Sequence, residues 1–141
     1  MQNLEEVLQK TFGLETFREW QKDVIESVIN QNDTLVFMPT GWGKSLTYQL
    51  PWIVMDWLTI IISPLISLMK DQVDKLNELW VRAELINSTI SFWEQQNILN
   101  ELSHTDYTED NPIKFLYIAP ERLNSNGFIR VMNNLKIALV A

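Results

Sequence analysis

Five short apolar runs punctuate the chain: Leu35-Val36-Phe37, Leu58-Thr59-Ile60-Ile61-Ile62, Ala83-Glu84-Leu85-Ile86, Phe115-Leu116-Tyr117-Ile118 and Ile137-Ala138-Leu139-Val140. Helical spacing returns after each. Runs of this length and composition read as mostly buried strands. Strands that alternate with helices imply a parallel sheet covered on both faces, joined by right-handed crossovers. The expected class is therefore α/β, a doubly wound three-layer domain with a mostly parallel sheet.

Local signals fill in the helices. Asn3 precedes Leu4-Glu5-Glu6, while Thr16 with Glu19 and Ser91 with Glu94 have the spacing of capping boxes. Leu65, Leu68, Met69, Val73, Leu76 and Leu79 form one apolar stripe, with Asp71 and Lys75 expected to pair on its wet side. Trp57 and Trp80 fall at helix-to-strand junctions, where a left-handed residue, usually glycine, ends a helix. Ser103 to Asn111 is polar and patternless, and is expected to be a surface loop.

The first apolar run leads into Met38-Pro39-Thr40-Gly41-Trp42-Gly43-Lys44-Ser45. Gly41 and Gly43 let the backbone curl so that its N–H groups and the next helix's N-terminus face an anion. A phosphate chain fits that description, with Lys44 reaching its outer phosphates and the Ser45 hydroxyl binding Mg²⁺. This is the pattern of a nucleoside-triphosphate P-loop, except that Met38 stands where the strict pattern has glycine. A glycine-bearing turn that merely ends in Lys-Ser is the alternative.

Composition narrows the function classes. The 141 residues suit one compact domain, and 46% hydrophobic residues can fill its core. No apolar run is long enough for a membrane span, and the first residues lack a basic secretion start, so a cytoplasmic protein is expected. Cysteine is absent, which excludes disulfides and thiolate metal sites. A net charge of −7 opposes long-range attraction to phosphates, so any nucleic-acid contact must be local. Asn32-Asp33-Thr34 and Asn87-Ser88-Thr89 match glycosylation acceptors only formally and read as turns. His104, near Asp106, Glu109 and Asp110, is read as a solvated loop residue rather than a metal ligand. Phe92 and Trp93, beside a helix cap, suit core packing as well as base stacking, and neither is assigned a role.

Taken in order, Phe12-Gly13, Phe17-Arg18 and Gln21, then Met38 to Ser45, then Ser63 to Gln72, then Asn87-Ser88-Thr89 and Tyr117 to Leu123 resemble the RecQ family of DNA helicases. The resemblance runs from about Phe12 to Ala141. It implies the front part of a RecA-like ATP-binding motor domain across residues 1–141, with N-terminal helices in 1–30 carrying an adenine-recognition motif. ATP and Mg²⁺ are the implied cofactors and single-stranded DNA the implied partner. Arg18, Gln21, Thr40, Gly41, Trp42, Gly43, Lys44 and Ser45 are the implied nucleotide contacts. Ser63, Ser67, Lys70 and Arg122 are the implied DNA contacts. Leu14 stands where the family often has an aromatic ring, and Trp20, Trp42, Trp57 and Trp80 stand where it usually has glycine.

A motor of this kind needs an acid after a second buried strand to hold Mg²⁺. By resemblance that Asp-Glu-Ala-His box should follow Ile137 to Val140 at once, but the chain ends at Ala141. Hydrolysis and unwinding are thus expected to require the remainder of a helicase, including a second RecA-like lobe. Two other classes stay open: a non-enzymatic relic or interaction module with an impaired P-loop, and a small P-loop kinase or NTPase.

Overall fold

The structure is a computed structural model that describes residues 3–106, 108 and 110–141. It divides into two compact units, one ending at Asp56 and one spanning Trp57–Ala141. The elements of the first are α1 (Leu4–Val7), a π-helical turn (Leu8–Phe12), α2 (Gln21–Ile29) and α3 (Leu46–Val54). Those of the second are β1 (Leu58–Ile62), α4 (Ile66–Glu78), β2 (Ala83–Ile86), α5 (Phe92–His104), β3 (Phe115–Ile118), a 3-10 turn (Pro120–Arg122), α6 (Asn126–Met132) and β4 (Ile137–Val140).

In the second unit the strand order is β2-β3-β1-β4 and every pairing is parallel. The α/β class with a parallel sheet is therefore as expected. Chain direction explains the layering, because a right-handed crossover puts its helix on a face set by which way the chain steps. The step from β1 to β2 runs opposite to those from β2 to β3 and from β3 to β4, so α4 lies on one face and α5 with α6 on the other. The core agrees: Leu58, Ile60, Ile86, Leu116 and Ile118 of the strands pack with Leu99 and Leu102 of α5 and Phe128 of α6. The alternate residues Thr59, Phe115 and Tyr117 are buried as well, as a sheet covered on both faces requires.

Local chemistry fixes several ends. Asn3 Oδ1 accepts from Glu5 N (3.1 Å), starting α1. The capping box at α5 is complete, with Glu94 N donating to Ser91 Oγ (3.2 Å) and Ser91 N to Glu94 Oε2 (2.7 Å). α4 ends in a Schellman motif: Trp80 N donates to Asn77 O (3.1 Å), Val81 N to Leu76 O (3.0 Å), and Trp80 takes φ +61°. Asn77 then brackets Ala83 through both its amide atoms and so ties α4 to the start of β2.

Other expectations fail. Leu35-Val36-Phe37 is not a strand: it has no ladder partner among the described residues, and Leu35 and Phe37 are 81% and 87% exposed. A strand exists only as one member of a pair, and residue type cannot supply the neighbour. The Thr16–Glu19 box does not start a helix; α2 begins at Gln21, whose own side chain accepts from Arg18 N (2.8 Å) and takes over the end. Trp57 is not left-handed, unlike Trp80. Among the described residues the ion pair on α4 is Lys70–Asp74 (2.7 Å) rather than Asp71–Lys75. Only Met69, Val73 and Leu76 of the expected stripe are buried; Leu65, Leu68 and Leu79 stay exposed. α5 runs on through Ser103 and His104 into the expected loop, and His104 Nδ1 lies 2.7 Å from Asn100 O. Glu109, grouped with His104 above, lies outside the described residues.

Candidate functional site: a phosphate-type loop and a strand-end strip

The unit ending at Asp56 is held by Leu8, Ile25, Leu46 and Leu50, which bring the start of α3 beside α1 and α2. The loop from Met38 to Ser45 enters α3, and both its internal glycines have φ +83°. Gly43 is needed for a second reason, since a Cβ there would come within 2.6 Å of Gln21 Nε2. Gln21 is buried at the head of α2 and donates from Nε2 to Gly43 O (3.2 Å). Arg18 reaches the same loop, with Nη1 donating to Gly41 O at 3.4 Å. Arg18 and Gln21 thus meet the glycine loop across about twenty residues of chain. No local signal in the sequence marks that contact.

Lys44 lies across the loop, with Nζ donating to Met38 O (2.9 Å) and Pro39 O (3.0 Å). Carbonyl oxygens there fill ammonium donor positions that phosphate oxygens can also fill. Ser45 is the N-cap of α3 and makes no side-chain capping bond to it. Thr47, which the sequence reading missed, closes the first turn by donating from Oγ1 to Lys44 O (2.6 Å). Thr40 is exposed and Trp42 is 51% exposed. The donor set of Lys44, the curled glycine backbone and the head of a nine-residue helix fits an anion, and the Ser45 hydroxyl fits a hard cation such as Mg²⁺.

The second unit offers a different arrangement. Parallel register aligns the carboxyl ends of β2, β3 and β1, with Ile86, Ile118 and Ile62 abreast. Two hydrogen bonds tie the segments that leave them: Ser63 N to Ile118 O (3.2 Å) and Ala119 N to Ile86 O (2.9 Å). Ligands of open parallel sheets bind outside such ends. Ser63 Oγ accepts from Leu65 N (3.3 Å), and Ser67 is exposed in the first turn of α4. Lys70 is exposed one turn on, and its hydrogen bond to Asp74 holds its ammonium above the usual lysine range. Arg122, following β3, is half-buried and donates from Nη1 to Gln95 Oε1 (3.0 Å) on α5. Ser63 and Arg122 therefore stand at the same sheet edge, while Lys70 is engaged along α4.

Two features of this edge are settled by burial. Asn87, just past β2, is fully buried; its Oδ1 accepts from Thr89 N (2.8 Å), which makes the expected turn, but its Nδ2 has no hydrogen-bond partner among the described residues. Phe92 and Trp93 are 67% and 76% exposed, so core packing is not their role. At the opposite, amino end of the strands, Arg82 pairs with Glu101 (2.5 Å) and with Glu84 (3.8 Å).

Comparison with known proteins follows the same lines. Residues 18–140 match the DEAD/DEAH box helicase family. The chain is 42% identical over 135 residues to the ATP-dependent DNA helicase RecQ of Haemophilus influenzae, covering 96% of this chain and 21% of that protein. To the ATP-dependent DNA helicase RecQ of Bacillus subtilis it is 46% identical over 136 residues, 96% of this chain and 22% of the relative. The RecQ-like DNA helicase blm-1 of Caenorhabditis elegans is 40% identical over 125 residues, 88% and 12% respectively. The chain thus spans about a fifth of the length of the bacterial relatives it matches. With a parallel α/β sheet, a loop of this build and a match over most of its length, the chain belongs to the DEAD/DEAH box helicase family, among its RecQ-type members.

Proposed function

We propose that this chain is a nucleotide-binding part of a RecQ-type DNA helicase. It would hold ATP·Mg²⁺ through Thr40, Gly41, Trp42, Gly43, Lys44 and Ser45, with Gln21 and Arg18 on the adenine side. Ser45 would ligate the Mg²⁺, which would offset phosphate charge when bound. Single-stranded DNA would run along the strand ends, touching Ser63, Ser67, Lys70 and Arg122. Hydrolysis and unwinding would belong to a protein of the relatives' full length, working in the cytoplasm. The observation that supports this reading best is the hydrogen bond from Gln21 to Gly43, which joins the head of α2 to the loop that would carry the phosphates. In keeping with that site, no helix among the described residues is long and apolar enough to cross a membrane.

Titration with a fluorescent ATP analogue tests it. Lys44→Ala should weaken binding by about 10–100-fold, as expected when a charge-assisted hydrogen bond is lost. One observation favours a second reading, an interaction module that no longer takes nucleotide: Lys44 is bonded to the loop's own carbonyls, and an indole stands between the two glycines. Absence of binding at millimolar nucleotide would select that reading. Trp42→Gly should tighten binding if the indole hinders entry; equal affinities would clear Trp42 of that role.

A further inference from the structure

Phe92 and Trp93 occupy the first turn of α5, 67% and 76% exposed, with ring centroids 6.4 Å apart and planes at 72°. In an edge-to-face pair at least one face of each ring is left uncovered. The complete capping box at Ser91 and Glu94 fixes the turn that carries them, so the pair is a rigid feature and not a frayed end. Its chain neighbours Ser88, Thr89, Ser91 and Glu94 are exposed and polar, so the rings do not belong to a broad apolar patch of the kind that docks another protein. One turn along α5, buried Gln95 accepts from the guanidinium of Arg122 (3.0 Å), which ties the segment after β3 to the helix that carries the rings. The same edge carries buried Asn87, whose Nδ2 has no partner among the described residues.

We propose that Phe92 and Trp93 are a stacking platform for the bases of a single nucleic-acid strand, extending the strand-end strip past β2. The proposal rests on the DNA reading above and adds to it the residues that grip bases rather than backbone. Open aromatic faces suit unpaired bases, whereas a duplex hides its base faces by stacking. Net charge restricts how such a strand could be held. A chain of net charge −7 has little long-range attraction for phosphates, and stacking is the attraction that does not depend on charge.

Fluorescence anisotropy of the whole chain at low salt provides the test. It compares a labelled oligothymidylate of about 15 nucleotides with an abasic strand of the same length. The parent should bind the thymidylate more tightly. Phe92→Ala with Trp93→Ala should weaken thymidylate binding about tenfold and leave abasic binding and the melting temperature unchanged. Arg122→Ala should weaken both strands. If the double variant binds thymidylate as tightly as the parent while Arg122→Ala still loses affinity for both strands, the platform is wrong and the DNA strip stands. Equal parent affinities for the two strands would also overturn the platform. If the parent binds neither strand, the DNA reading falls and takes the platform with it.

Discussion

From Trp57 onward each strand has a parallel neighbour, and helices cover both sheet faces. Before Asp56, Leu35-Val36-Phe37 has equally strand-like side chains, yet it forms no ladder among the described residues and leaves two large apolar residues in solvent. The same residue types thus reach opposite outcomes in the two units. A neighbour's N–H and C=O groups, more than β-branching, decide whether an extended run becomes a strand. The units also hold their functional groups differently. The glycine loop is fixed by side chains that bond to its carbonyls, whereas the strand-end strip is aligned by the ladder itself.

The contrast breaks most easily at the core. Leu116→Ala removes a fully buried side chain from β3 and should cost about 2–5 kcal/mol in urea denaturation. Phe37→Ala, at a site 87% exposed, should stay within about 0.5 kcal/mol of the parent. Similar losses at both positions would abolish the distinction. Next in size is Ser91→Ala, expected to lower stability by about 1 kcal/mol because it opens the α5 capping box. An unchanged urea midpoint would mean that the box is ornamental.

Trp80→Gly should act in the other direction. A side chain held at φ +61° costs about 1–2 kcal/mol, and replacing it with glycine returns part of that to the freer unfolded chain. The net expectation is a gain of about 0.5 kcal/mol, since Trp80 is almost fully exposed and buries little. Trp57→Gly, where φ is not positive, should destabilise or do nothing, so matching gains at both sites would contradict the assigned geometry.

The smallest effect concerns Glu84. Burial raises its carboxyl above the usual range, Arg82 opposes the shift, and Glu101 adds to it. A raised folded-state value means that the native state binds the proton more tightly. Stability from this group is therefore full at low pH and falls as pH rises from the ordinary carboxylate value through the raised one. Glu84→Gln should melt slightly higher than the parent above that window and lose the advantage below it. A pH-independent difference would assign the effect to packing.

Much of the fold was legible because its causes are local. Asn3, the Ser91–Glu94 box and the left-handed position at Trp80 act within a few residues, and all three appear as expected. The glycine loop was legible for the same reason, as neighbouring residues set its curl. The box at Thr16 and Glu19 was misread because Gln21, from outside the motif, supplied the competing bond to Arg18 N. The pairing on α4 was misread because Asp71 and Asp74 present nearly equivalent partners to Lys75 and Lys70, and helix spacing alone does not rank them.

The sequence by itself determined the α/β class, four of the five strands and the loop that could take a phosphate, because periodicity, caps and glycines act over a few residues. Tertiary structure alone decided the order β2-β3-β1-β4, the failure of Leu35 to Phe37 to pair, the contact of Gln21 with Gly43 and the exposure of Phe92 and Trp93. Each of these depends on which distant group arrives as a neighbour, and burial or pairing has no value until that neighbour is in place.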